Sequence, residues 1–276
     1  MNEVRSFIIS QDQIDGNKIR CSTSEQKHIT TVLRMQHGDQ VRFLDGNGNY
    51  YTAILQCIDE KSLFAQIINQ GFNPQKLPSI TLFQGLTKSS KMDLVMQKAT
   101  EIGVDQIVPM VTNRSIINLK PSARIQKHAR WKRIAYEATK QCKRLRLPDI
   151  LQPKSFIDCS LLFGDFDETI ILYEHEKVRS IKSVLRDFSS LDSVAVIIGP
   201  EGGLTNQENE TALAENCIPA TLGTNILRAE TAAVVAVALV VYELRAGGGN
   251  CCQQHPYSHL VAKSTNMTRI QFMIRW

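Results

Sequence analysis

Three hydrophobic patterns follow one another along the 276-residue chain, and each predicts a different architecture. Up to about residue 74 the apolar runs are short and separated by polar turns, so Val4 to Ile9, Val41 to Leu44, Tyr50 to Ile58 and Phe64 to Ile68 read as strands. Ser22-Thr23-Ser24-Glu25 is a capping box that opens a helix to Met35, with Ile29, Val32 and Leu33 on one side. Asp45-Gly46-Asn47-Gly48 has the turn chemistry of a hairpin. Many short strands with little helix predict a compact β-barrel over residues 1–74.

Gln70 to Pro78 is rich in turn formers and marks the boundary. Beyond it the periodicity alternates between two and 3.6. Ile80 to Leu86, Gln106 to Val111, Thr169 to Tyr173 and Val194 to Ile198 read as strands. Met92, Val95, Met96, Ala99 and Ile102 keep helical spacing, and helices are also predicted over Pro121 to Leu147 and Val178 to Phe188. Such alternation predicts an α/β domain over 75–246, a parallel sheet covered by helices, with any ligand at the carboxyl ends of its strands. Residues 247–276, with Gly247-Gly248-Gly249, Cys251-Cys252, His255 and His259, fit neither pattern and read as an irregular extension rather than a metal site.

The densest stretch is Val194 to Val241. Its first strand stops at Gly199-Pro200, Thr205 and Glu208 form a second capping box, and a helix follows to about Asn216. Leu222-Gly223 opens another loop. Ile226 to Leu244 is apolar on nearly every side, and Arg228, Glu230 and Glu243 mark it as a buried core helix rather than a membrane span.

Composition adds less than patterning. MNEVRSFIIS enters strand-like sequence with no leader, so a cytoplasmic protein is expected. Seven cysteines without a CxxC pair imply reduced thiols and no structural metal. A net charge of +5 is modest, but Lys120 to Arg146 concentrates it. That segment carries Lys120, Arg124, Lys127, Arg130, Lys132, Arg133, Lys140, Lys143, Arg144 and Arg146 against one acid, Glu137. Trp131, Ile134, Ala138 and Cys142 supply an apolar stripe that would hold the helix to the sheet and turn its charge outward. A one-sign helix of this kind suits nucleic acid. Lys88, Lys91, Lys98 and Arg114 would extend the track.

The GPEGG turn looks at first like a phosphate loop. No G-x-G-x-x-G or G-x-x-x-x-G-K-[ST] occurs, and Glu201 would repel a pyrophosphate, so the ligand should be neutral or cationic. Arg228 and Glu230 beside an apolar helix require partners: an internal pair of Arg228 with Glu201 or Glu230, a ligand, or both. Neither a Ser-His-Asp arrangement nor HExxH is present.

IIGPEGGLTNQE followed by LGTNILRAETAA closely resembles the RsmE family of bacterial 16S rRNA uracil-N3 methyltransferases, of the SPOUT class. The likeness extends in order through Arg5, HITTVLRM with His28 and Arg34, KSSKMD with Lys91 and Asp93, KATEIGV with Glu101, Pro109, Arg114, Trp131, and EATKQCKR with Glu137 and Gln141. It departs at Asn225, where an Arg is common, at Ser89-Ser90 in place of Gly-Asp, and in the tail after Ala246.

The resemblance implies a PUA-like RNA-binding barrel, a SPOUT α/β domain with a C-terminal trefoil knot, a homodimer, and S-adenosylmethionine as cofactor. It places the cofactor against backbone groups of Leu172-Tyr173, of Ile198, Gly199, Pro200, Glu201 and Gly202, and of Leu222, Gly223, Ile226, Leu227 and Arg228. The implied substrate is a uridine N3 in 16S rRNA of the small ribosomal subunit. A cofactor with a sulfonium and no phosphate agrees with Glu201 in the loop. On this reading Glu201 accepts or relays the imide proton, Arg228 stabilises charge on the uracil oxygens, and Arg5 reaches the target from the first domain. Arg5, Arg34, Lys91, Arg114, Arg133, Lys143 and Arg144 are the expected RNA contacts. The rival expectations are another SPOUT RNA specificity and a non-catalytic RNA-binding assembly factor, the second opposed by the intact loops.

Overall fold

A computed structural model describes residues 4–58, 62–115 and 121–245. Lys120 of the basic segment and the extension expected over 247–276 lie outside the described residues. The first six strands are β1 (Arg5–Ile8), β2 (Ile14–Asp15), β3 (Lys18–Arg20), β4 (Gln40–Leu44), β5 (Asn49–Ile58) and β6 (Ser62–Phe72). They form one barrel-like mixed sheet in the order β1-β4-β5-β6-β3-β2, with β1 parallel to β4 and the other pairs antiparallel. Period-two alternation turns Val41 and Phe43 of β4, and Ala53 and Leu55 of β5, into a core shared with Phe7, Ile19 and Ile29. Asp45 makes the expected hairpin turn by accepting the N–H groups of Asn47 and Asn49.

The Ser22–Glu25 capping box is present, but α1 (Thr23–Lys27) is short. Over the β-branched Thr30-Thr31-Val32 the chain widens, so that Leu33 N–H reaches His28 O, and it ends with Arg34 at φ 53°.

The second sheet contains β7 (Ser79–Gly85), β8 (Gln106–Val111), β9 (Asp149–Ile150), β10 (Lys154–Ser155), β11 (Glu168–Leu172), β12 (Ser193–Ile198) and β13 (Ile218–Ala220). Its order is β10-β8-β7-β12-β11-β13, with β9 also beside β8, and every pair is parallel. One face packs under α2 (Ser89–Ile102), α3 (Pro121–Cys142), α5 (Ile181–Asp187) and α7 (Ala229–Arg245); the other packs under α4 (Phe156–Ser160) and α6 (Asn206–Ala214). Both faces are covered, which is why β12 is apolar from Val194 to Ile198: Val194, Val196 and Ile198 go to one core and Ala195 and Ile197 to the other. The small side chains of Ala233, Ala236, Val237 and Val240 bring α7 close to α2, β7 and β12.

In this second domain α3, α5 and α7 are also shorter than predicted, each for a local reason. α3 stops at Cys142 because Lys143 takes φ 58°, a left-handed terminator. α5 begins at Ile181, capped by the Ser180 hydroxyl, which accepts Ser183 N–H. α7 begins at Ala229, leaving Ile226 to Arg228 as coil. The two sheets meet where Asn73 N–H donates to Gly48 O, Arg146 Nε donates to Asn73 O, and the Tyr136 hydroxyl of α3 donates to Ile8 O.

Arg144, expected among the RNA contacts, points inward instead. Its guanidinium donates to Thr100 O at 2.7 Å and Val104 O at 2.8 Å and lies 3.6 Å from Asp105. Asp105 also pairs with Arg245, which in turn holds Pro78 O and Gly103 O. Burial lowers the Arg144 pKa from its ordinary value, against the pull of Asp105. Arg144→Ala strands these acceptors and is expected to cost about 3 kcal/mol in urea unfolding. Lys132→Ala, on the exposed side of α3, should stay within about 0.5 kcal/mol of the parent.

Candidate active site

Strands β12, β11 and β13 are neighbours, and being parallel they release their chains at the same edge. The loops after Leu172, Ile198 and Ala220 therefore face one another around a cavity of about 400 Å³. Its wall is Leu172 to Glu174, Ile198 to Glu201 with Gly203 and Leu204, and Ala220 to Arg228, closed by Ala229 and Ala232 of α7, Asn209 of α6 and Lys91 of α2. The middle loop is tightly folded. A Cβ on Gly199 would lie 3.2 Å from Gly203 C and Leu204 N, and one on Gly85 would lie 2.5 Å from Pro200 N, so strand β7 ends in glycine where the turn crosses it.

The capping box at α6 does more than start a helix. Buried Glu208 accepts Thr205 N–H through one oxygen and Asn113 N–H through the other, tying the GPEGG loop to the chain after β8. Arg114 fastens the same loop by donating to Gly202 O at 3.0 Å and Leu204 O at 3.3 Å. The sequence marked Arg114 as an RNA contact, and its geometry makes it a loop clamp.

Lys91 is the cation of the site. Its Nζ lies 3.3 Å from Glu201 and 3.5 Å from Glu230, bridging a loop carboxylate and one in the first turn of α7. The internal pair considered for Arg228 thus belongs to Lys91, because α2 delivers an ammonium between the two acids, while Arg228 is exposed at the start of α7. Burial pushes the Glu201 carboxyl up. Its own N–H, that of Lys88 at 3.2 Å, and Lys91 outweigh burial and hold it below the ordinary value. Glu201 is consequently ionised at neutral pH. Its Oε1 is occupied by Lys88 and Lys91, whereas its buried Oε2 has no hydrogen-bond partner among the described residues.

Eleven of the expected cofactor residues line the cavity: Leu172, Tyr173, Ile198, Gly199, Pro200, Glu201, Leu222, Gly223, Ile226, Leu227 and Arg228. Gly202 does not; it sits against Arg114 on the outside of the turn. Arg5 is exposed on β1, in the other sheet, and forms no part of the wall. Arg34, Arg133 and Lys143 are exposed. Glu174 and Asn209 escaped the sequence reading. Glu174 carried no local signal, but Asn209 lies three residues before buried Ala212 on the inward stripe of α6, and that spacing could have flagged it.

A family model described as an RNA methyltransferase domain matches residues 73–241, and one described as an RNA methyltransferase PUA domain matches residues 22–68. The chain belongs to the ribosomal RNA small subunit methyltransferase E family. It is 31% identical to the member from Rickettsia conorii, covering 86% of this chain and 93% of that one. It is 29% identical to the member from Bacillus subtilis, over 87% and 96% of the respective chains. The crystal structure of the Neisseria gonorrhoeae family member bound to S-adenosyl methionine superposes with a TM-score of 0.75 at 26% identity, over 87% of this chain and 97% of that one. The α/β fold, with barrel-like strands before a parallel sheet, is the fold of this family. Among the described residues no group of three or more His, Cys, Asp or Glu is arranged for a metal, and no helix is long and apolar enough to cross a membrane.

If Lys91 is what keeps Glu201 and Glu230 together, Lys91→Met should cost about 2 kcal/mol at pH 7.5, since two partly buried acids then face each other without a cation. Protonation relieves that repulsion, so the loss measured by chemical denaturation should shrink as pH falls toward 5. A loss independent of pH would assign Lys91 a packing role only.

Proposed function

We propose that this chain transfers the methyl group of S-adenosylmethionine to N3 of a uridine in 16S rRNA of the small ribosomal subunit. The observation that carries the reading is the cavity at the three strand ends, with an unpartnered oxygen of an ionised Glu201 buried in its wall. The residues present suit the cofactor. About 400 Å³ is in the range of small-molecule sites. Glu174 and Glu201 line the cavity, and no phosphate fingerprint accompanies them, so a sulfonium and an ammonium are tolerated where a pyrophosphate is not.

When bound, S-adenosylmethionine supplies a methyl group activated by its sulfonium charge. The side chains supply position and charge. Loops after β11, β12 and β13 present backbone groups to the cofactor and hold it against apolar Leu172, Ile198 and Leu222. Glu201 Oε2 accepts the imide proton of uracil, or a hydrogen bond from it, while Lys88 and Lys91 keep Oε1 fixed. Being held below the ordinary carboxylate range, Glu201 is a weak base, so the imide proton it accepts is given up to solvent water at the cavity mouth. Arg228, exposed at the cavity mouth, stabilises the negative charge that deprotonation places on the uracil oxygens.

The RNA surface we propose consists of Arg5, Arg34, Arg133 and Lys143, all exposed. Lys91, Arg114 and Arg144 leave the expected set because they serve the ion pair, the loop clamp and the Asp105 cluster. The reading also includes a barrel domain over 1–74 that grips RNA and a methyltransferase domain over 75–246 whose last segment is threaded as a trefoil knot. It further includes a homodimer. Leu239 and Tyr242 on the outward side of α7 are 37% and 64% exposed and support such an interface. Substrate in ribosomal subunits places the enzyme in the cytoplasm.

Nucleoside analysis of small-subunit RNA from cells lacking the gene should show N3-methyluridine missing and restored by the intact gene. Its persistence, or loss of a different methylated nucleoside, would overturn the uracil-N3 assignment. Glu201→Gln and Arg228→Ala should each slow single-turnover methylation about a hundredfold. Because Glu201 is already ionised below its ordinary value of 4.5, any change of rate between pH 6 and 8, a window where about neutral conditions prevail, must come from another group. A rate limb in that window that vanishes in Glu201→Gln would show Glu201 titrating above its ordinary range and overturn the ionised state given to it.

A further inference from the structure

Asn209 is a buried polar residue whose side-chain oxygen is not used inside the fold, among the described residues. It is 5% exposed on α6, it lines the cavity, and its Oδ1 has no hydrogen-bond partner among the described residues. The polar groups beside it are provided for. Glu208 accepts three donors, from Thr205 N, Thr205 Oγ1 and Asn113 N, and Thr205 Oγ1 accepts Glu208 N–H. A buried amide oxygen left without a donor is costly unless a ligand completes it.

We propose that the Asn209 carboxamide recognises the adenine edge of the cofactor, a side-chain contact added to the backbone loops. The inference rests on the adenosylmethionine reading above. Of the parts of that molecule, the amino-acid end is charged, and the cavity offers Lys91, Glu174, Glu201 and Arg228 for charge. The adenine ring is neutral and flat and suits the apolar wall of Leu172, Ile198, Leu204 and Ala220. Its amino donor beside a ring-nitrogen acceptor matches a carboxamide in two hydrogen bonds, the pairing by which Asn reads adenine elsewhere. Turning the amide over exchanges its donor and acceptor positions, so the side chain can adopt whichever orientation the ring requires.

The test compares S-adenosylhomocysteine with its inosine counterpart, in which a carbonyl oxygen replaces the amino group, by titration calorimetry on wild type and Asn209→Leu. Wild type should prefer the adenosyl ligand by roughly tenfold or more. In Asn209→Leu that preference should fall toward parity and adenosyl affinity should drop by about tenfold. The unliganded Leu variant should melt at an equal or higher temperature, because an apolar isostere replaces an unsatisfied amide. The ratio of the two ligands is the deciding quantity, since a general loosening of the variant lowers both affinities together. A Leu variant that retains the full wild-type preference overturns the role of Asn209 alone. Wild type that binds neither ligand overturns the adenosylmethionine reading and this inference with it.

Discussion

Everything at the active site depends on β12 being paired in parallel on both sides, with β7 and β11. A parallel strand must leave its sheet at the same edge as its neighbours, and this constraint converts loops distant in sequence into one wall. The strand can occupy that central position because Val194 to Ile198 are apolar on both faces and pair in register with a strand on either side. Gly85 at the end of β7 then leaves room for the Gly199-Pro200 turn to fold across the sheet edge. The shape of the cavity is a consequence of strand pairing.

The charges at the site form a small balanced set. Lys91 stands between Glu201 and Glu230 and allows two acids to lie close to an apolar helix. The same arrangement leaves Glu201 ionised with one oxygen held and, among the described residues, one unpartnered. Glu208 works in a different way, spending both oxygens on backbone donors to fix the loop that carries Glu201. Two glutamates seven residues apart thus have opposite duties, set by whether their lone pairs are used up.

The basic segment divides in the same manner. Lys132 and Arg133 are turned outward by the stripe of Trp131, Ala135 and Ala138, which binds α3 to the sheet. Arg144 and Arg146, two or more residues past the helix end, turn back to satisfy carbonyls at the end of α2 and at the junction with the barrel. Arginine with its forked donors is suited to both duties, so a run of like charge in a sequence can be part surface and part internal brace.

The sequence by itself determined what depends on near neighbours. The alternation of β4 and β5, the two capping boxes, the Asp45 hairpin, the two-faced burial of Val194 to Ile198 and the sheet class all follow from the spacing of side chains along one element. Eleven of the cavity residues were legible because they belong to contiguous loops at strand ends, two of them bearing glycines. What only the tertiary structure decided depends on which distant groups meet. No spacing shows that Lys91, more than a hundred residues from Glu201, is its partner, or that Arg144 closes on Asp105. The short strands Asp149–Ile150, Lys154–Ser155 and Ile218–Ala220 were illegible because two or three residues carry no periodicity, and their pairing comes from the longer strand beside each. Helix ends shifted for a related reason: Ile226 to Arg228 have the composition of α7, but their backbone is taken up by the wall of the cavity. Local propensity chooses the element, and competition among tertiary partners chooses its limits and the direction of its charges.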